Sequence, residues 1–171
     1  MSTDLAGITR KAHLSDCGSY RFSLQREWGD GPFVAWLMLN PSTADAQQDD
    51  PTLRRIQDWA ARWGYHGVVV VNVFPFRSSK PSELWRWRDQ TENDPAAIAA
   101  IRENTTIIQL TAKHAALRMV GFGADVAGLD PLALEAALAA YGAAGAMCLG
   151  TGKHGWPLHP MARGKNRLPD Y

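Results

Sequence analysis

Cysteine is scarce: Cys17 and Cys148 are the only two, and they lie far apart in the chain. They form no Cys-x-x-Cys pair, which excludes a disulfide framework and any zinc site of ordinary spacing. Both read as free thiols of a reducing compartment. No apolar run approaches the about 20 residues that a membrane-crossing helix requires. The opening MSTDLAGITRKAH carries no apolar signal core, so the expected location is the cytoplasm. An excess of either charge is also missing. Lys and Arg number 18 against 17 Asp and Glu, a formal net charge of +1. A protein that coats nucleic acid would be far more basic, although a local basic rim is compatible with this balance. The sequence has no G-x-x-x-x-G-K-[ST], no G-x-G-x-x-G, no H-E-x-x-H and no G-x-S-x-G. Those absences set aside nucleotide kinases, dinucleotide dehydrogenases, zincins and serine hydrolases. Asp45, Asp49 and Asp50 cluster without EF-hand spacing and read as carboxylates at a helix N-terminus rather than as metal ligands. Neither a metal nor an organic cofactor is expected.

What is present suits one domain over residues 1–171, with 46% hydrophobic and 20% charged residues. Residues 18–26 alternate as a strand does, and Gly29-Asp30-Gly31-Pro32 reads as a turn into the apolar run 33–39, together a hairpin feeding a central strand. Asp50-Pro51 starts a helix that stops near Gly64. Val68–Phe74 is a second buried strand. Ser82–Trp87 reads as a short helix capped by Ser82, and Asp94 opens a longer helix to about Leu110. Leu117–Phe122 is a third strand, Asp130-Pro131 starts another helix, and Ala146–Leu149 is a short fourth strand. Alternating strands and helices predict a three-layer α/β/α sandwich. Its central sheet is small, mainly parallel and four-stranded, with an N-terminal hairpin strand added.

In such sheets, sites form where strands end and loops begin. The polar residues here fall in those places. Asn40-Pro41-Ser42 follows the first central strand, and reads either as a catalytic loop or as a strand-ending turn. Asn72 sits inside VVVVNVF, where a buried amide must find partners; it either ties down a loop or reads the edge of a base. Gly121-Phe122-Gly123 ends the third strand. His159-Pro160 lies in a tail with Lys153, His154, Arg163, Lys165 and Arg167. There the histidine either steadies negative charge, contacts phosphate or simply faces solvent. Arg54 and Arg55 either pair with the aspartates before them or reach a substrate phosphate. Of the seven tryptophans, Trp59, Trp63, Trp85 and Trp87 fall on helices and are expected to pack the core. Trp36, Phe74 and Phe76 are candidates to stack on a base.

The segments MLNPSTADAQQDDPTLRR, VVVNVFPFRSSKP and LHP, with YRFSLQREW near the start, resemble domain-of-unknown-function family 1643 (DUF1643) over nearly the whole chain. That family in turn resembles a distant branch of the uracil-DNA glycosylase superfamily. Leu39–Ser42 is similar to a G-I-N-P-G motif, and Asn40 falls on the asparagine that positions the attacking water. Val71-Asn72-Val73, with Arg77 and Pro81 downstream, is similar to T-N-V-V-K-C-R-P-P, and Asn72 falls on the asparagine that binds the flipped base. Val120–Ala124 is similar to a V-A-L-G-A turn. Leu158–Arg163 is similar to H-P-A-Y-L-L-R, and His159 falls on the histidine that steadies charge on the base. Met38 and Ser42 stand where the first motif has glycines, and the four cysteines of an iron–sulfur cluster are absent.

The resemblance implies a uracil-DNA glycosylase-like hydrolase, an N-glycosidase with Asn40 and His159 catalytic. Pro41, Ser42, Asn72, Phe74, Gly121 and Arg163 would bind substrate. The partner would be a nucleobase-containing substrate, in single-stranded or flipped-base nucleic acid. Two alternatives stand beside it: a non-catalytic nucleobase, nucleotide or nucleic-acid binding domain, and an N-glycosidase or transferase for free nucleosides.

Overall fold

The computed structural model describes residues 7–42, 44–123 and 131–162. Strands β1 (Thr9–Leu14), β2 (Arg21–Glu27) and β3 (Phe33–Met38) lead into α1 (Pro51–Arg62) and β4 (Gly67–Asn72). Then follow α2 (Pro81–Gln90), α3 (Pro95–His114), β5 (Leu117–Val120) and α4 (Pro131–Tyr141). The five strands form one open sheet in the order β1-β2-β4-β3-β5. β4, β3 and β5 run parallel, while β1 and β2 are antiparallel additions at one edge.

Four helices begin at a proline, whose fixed φ suits the first turn and whose missing N–H costs nothing there. Asp50 caps α1 by accepting from the Leu53 N–H at 2.7 Å, and Asp94 caps α3 by accepting from Ala96 at 2.9 Å. For α2 the cap position is Lys80 rather than Ser82, and no side chain caps it. Asp130, the cap expected for α4, lies outside the described residues. α3 runs on to His114, four residues past Leu110, and its last turn carries Lys113, a cation that favours a helix C-terminus.

Two apolar clusters cover the sheet. On one face Val34, Trp36, Val68 and Val70 pack on Leu53, Ile56 and Ala60 of α1. On the other, Ala35, Leu37 and Val71 pack on Ile108 and Ala112 of α3 and Leu134 and Ala137 of α4. β3 and β4 are therefore apolar on both sides, which is why their sequences are continuous runs. The expected hairpin between residues 18–26 and 33–39 does not form. β2 pairs with β1 and β4, and β4 separates it from β3. A strand covered on both faces belongs in the middle of the sheet, whereas alternating β2 belongs nearer its edge. The fourth parallel strand contracts to one bridge, Met119 with Met147, held by Val120 N–H to Met147 O and Met147 N–H to Arg118 O, both 2.8 Å.

β3 has a parallel neighbour on each side. The chain reaches β4 through α1 on one face and β5 through α2 and α3, with α3 on the other face. The chain thus leaves the C-terminal ends of the neighbouring strands β3 and β4 towards opposite faces, and such points leave a crevice beyond the strand ends. Among the described residues, no helix is long and apolar enough to cross a membrane.

Candidate functional site

Two adjoining cavities open at these strand ends. The inner one, about 70 Å³, lies between the sheet and the start of α1; Arg21, Met38, Asp50, Thr52, Ile56, Val70 and Asn72 are among its lining residues. The outer one, about 180 Å³, is bounded by Leu39, Ser78, Ser79, Pro81 and Phe122. Met38, Asn40, Ser42 and His159 line both and mark the junction. Both volumes lie below the few hundred Å³ of larger ligand pockets.

Asn72 ends β4 on the face that carries Val68 and Val70. It is 1% exposed, and neither its Nδ2 nor its Oδ1 finds a hydrogen-bond partner among the described residues. Its main chain is secured from the opposite face: Asn104 of α3 donates to the carbonyls of Asn72 (2.9 Å) and Val73 (3.2 Å). Asn104 is therefore the amide that ties down the loop, and Asn72 lies in the wall of the inner cavity with its amide unpartnered among the described residues. An unpaired buried polar group costs about 1–3 kcal/mol.

Asn40 uses its Nδ2 on the carbonyls of Pro41 (3.1 Å) and Ser78 (2.8 Å). The Ser78 N–H also donates to Pro41 O at 3.0 Å, so these contacts clamp the loops after β3 and β4 together. What Asn40 offers the junction is its carbonyl oxygen, an acceptor for water.

His159 accepts the Met161 N–H on Nδ1 at 3.0 Å. The neutral ring then carries its proton on Nε2 and is a donor there. Its loop is fixed from several sides. Leu158 N–H donates to Gly150 O at 2.9 Å, and Arg55 of α1 donates to Pro160 O at 2.9 Å. Gly123 donates to Pro157 O at 3.0 Å, and at φ +80° it passes so close that a Cβ would sit 3.1 Å from the His159 Cβ. Gly121 plays a related part: a Cβ there would lie 3.1 Å from Trp36 and 3.2 Å from Pro160. It makes room for the histidine loop and lines neither cavity.

Arg21 is a residue that sequence reasoning missed. It is 3% exposed, its Nη1 donates to Ala44 O at 2.5 Å, and its Nε has no partner among the described residues. Burial lowers its pKa to about 10, with the Asp50 charge opposing that and Arg77 and Arg26 reinforcing it. It remains a cation at neutral pH. Its direction comes from a β-bulge. His13 pairs with Ser23 but Leu14 pairs with Arg21, so Phe22 is one residue too many. Phe22 turns to pack with Ala100 of α3, and Arg21 takes the cavity side beside Leu24. Bulges re-aim side chains in this way beside functional sites.

Arg26, also buried, makes a 2.8 Å ion pair with Asp49 and donates to Asp45 O at 2.5 Å. Together Arg21 and Arg26 hold the segment that follows Asn40-Pro41-Ser42. Arg54 donates to the backbone carbonyl of Asp49 and Arg55 to that of Pro160. The one detectable signal was Arg26, an arginine at an apolar position of an alternating strand, which demands a buried carboxylate.

The remaining expected residues divide. Ser42 lines both cavities, while Pro41 is buried and supplies its carbonyl to the clamp. Phe74 is buried, edge-on to Trp87 at 6.2 Å, and Phe76 stacks on Trp87 at 5.1 Å. Trp36 is fully buried under Trp59, 6.3 Å away. None of these three lines the cavities, and the aromatic that does is Phe122. Arg163 lies outside the described residues, as do Lys165 and Arg167. Cys17 and Cys148 are free thiols. Among the described residues, no three His, Cys, Asp or Glu gather as a metal site.

The chain belongs to the DUF1643 family. That family, described as a protein of unknown function, matches residues 21–161. The DUF1643 region runs from Arg21 past His159 and so contains every described residue that lines the two cavities. No curated protein and no solved structure gives a significant match.

Proposed function

We propose that the paired cavities are the active site of an N-glycosidase built on a uracil-DNA glycosylase-like sandwich. The observation that carries this reading is Asn72. A buried amide in the cavity wall whose donor and acceptor both lack partners among the described residues suits the paired donor and acceptor on the edge of a nucleobase. The base would occupy the inner cavity and the sugar the outer one, placing the N-glycosidic bond at the junction.

There Asn40 Oδ1 would orient a water towards the sugar carbon. The water oxygen bonds to that carbon, and the C–N bond breaks with its electron pair passing to the base nitrogen. His159 Nε2–H stabilises the charge as it develops, and the water's proton ends on the released base. Electrostatic stabilisation of this kind is often the largest single term in catalysis. The substrate would be a base in single-stranded or flipped-base nucleic acid, handled in the cytoplasm.

A second reading is a pocket that binds a base or nucleotide without cutting it. Asn40 favours it, because both hydrogen bonds of its Nδ2 already serve the clamp between loops.

Incubation with single- and double-stranded oligonucleotides carrying uracil, hypoxanthine or hydroxymethyluracil, followed by mass spectrometry of free base, tests the proposal. Release by the wild type but not by an Asn40→Ala, His159→Ala double variant is expected. No release with enzyme in excess rejects cleavage of nucleic acid. Free nucleosides in the same assay then separate a nucleosidase from a binding pocket.

A further inference from the structure

Arg21 has no counterpart in the motifs compared above, yet it is the only buried cation lining the inner cavity among the described residues. Its guanidinium is half used. Nη1 anchors Ala44 O, while Nε–H is buried without a partner among the described residues. If anchoring the loop were its only task, a neutral donor would serve, without the desolvation of a charge. The bulge at Phe22 is the device that brings Arg21 rather than an apolar residue to this wall.

We infer that Arg21 is a further catalytic residue, whose Nε–H and charge receive the departing base as an anion. This rests on the reading of the inner cavity as a base pocket. Breaking the N-glycosidic bond leaves the electron pair on a ring nitrogen and its conjugated oxygens. Asn72 is neutral and reads the edge; His159 donates as a neutral ring. Arg21 supplies the positive charge that neither provides, and a buried cation acts strongly because little water screens it. Asparagine at position 40 cannot pull a proton from water effectively, so the barrier has to fall on the leaving-group side. The charges around Arg21 are Asp50 and Asp45 on one side of the balance and Arg26 and Arg77 on the other. The base selected is one with carbonyl acceptors, whose anion is delocalised, rather than one presenting an amino group to Arg21.

The test uses free 5-nitrouracil, an acidic base whose anion and neutral form absorb differently. Binding to the full chain is measured across pH, with the spectrum of the bound base read at each point. A site that prefers the anion binds more tightly as pH rises through the ionisation of the free probe. It also lowers the ionisation of the bound probe by at least about one unit, a tenfold preference. Arg21→Gln abolishes most of that shift while the probe still binds, and His159→Gln, which removes a neutral donor, reduces it by the smaller part. A bound probe that ionises as in free solution overturns the inference and leaves the base pocket standing. So does a shift that His159→Gln removes in full. Should Arg21→Gln fail to fold, the wild-type and His159→Gln profiles still decide. Failure of the wild type to bind 5-nitrouracil at any pH rejects the base pocket itself.

Discussion

Arg55 of α1 donates through Nη1 to the carbonyl of Pro160 at 2.9 Å, joining the helix that walls the inner cavity to the loop that carries His159. Its guanidinium also lies over the Trp59 ring, 5.9 Å from the centroid. Arg55 touches neither cavity; it positions the histidine. Arg55→Ala is expected to cost only about 1 kcal/mol of stability, the worth of one such hydrogen bond. The rate of base release should fall about tenfold or more, since small displacements of a reacting group are costly. Thermal melts beside single-turnover rates check this. A loss of rate no larger than the loss of stability would show that Arg55 merely packs.

Asn72 and Asn104 predict opposite effects of similar changes. Asn104→Ala removes two donors to the carbonyls of Asn72 and Val73 and should destabilise the fold by about 1–3 kcal/mol. Asn72→Leu, of similar size, removes a buried amide with no partner among the described residues, and should raise stability by about 1 kcal/mol. Ligand binding should be lost in the same step, a trade of function against stability. Chemical denaturation of both variants, with 5-nitrouracil binding alongside, measures the pair. A destabilised Asn72→Leu would mean that the amide serves the fold.

Local patterns made the central strands legible: 33–39 is apolar throughout, 68–74 is apolar but for Asn72, and Asp50-Pro51 and Asp94 open their helices as expected. Sheet order was not legible, because hairpin and crossover leave the same residues at a strand. Nor was β1, whose TRKAHL is mostly exposed at the sheet edge and carries no apolar stripe. Asn40, Ser42, Asn72 and His159 meet at the strand ends where they were sought. Arg21 escaped notice because one extra residue at Phe22 reverses the face it would otherwise take, and a bulge has no fixed sequence sign. Phe74 and Gly121 were placed in the site by their neighbours in sequence. Packing gives one to the core and makes the other a spacer beneath Pro160.

Gly123 holds φ at +80° beneath His159. Gly123→Ala combines a backbone conformation unfavourable to any Cβ with a contact at 3.1 Å to the His159 Cβ. The expected cost is about 1–2 kcal/mol from the backbone alone. The histidine should also move, so that the rate falls further than His159-independent binding of the base. A variant with normal rate and stability would show that this turn tolerates a side chain and that His159 does not depend on it.

Asp49 makes the fold sensitive to acid. Burial raises the pKa of its carboxyl. Hydrogen bonds from Gln57 and Arg26 and the charges of Arg26 and Arg10 outweigh that effect, so the group sits below the ordinary aspartate value. A carboxylate with a depressed folded-state pKa binds fewer protons folded than unfolded. Its contribution is therefore whole above the unfolded value of about 3.9 and is lost as pH falls below it, through the folded value. Because Arg26 is fully buried, Asp49→Asn leaves a cation with little to balance it, and at pH 7 should cost about 3 kcal/mol. The variant should also lose part of the wild type's fall in stability below about pH 4. Urea unfolding midpoints at pH 7 and pH 3 measure both effects. A variant that loses as much stability on acidification as the wild type would mean that other carboxylates, and not the Arg26–Asp49 pair, govern the acid limit.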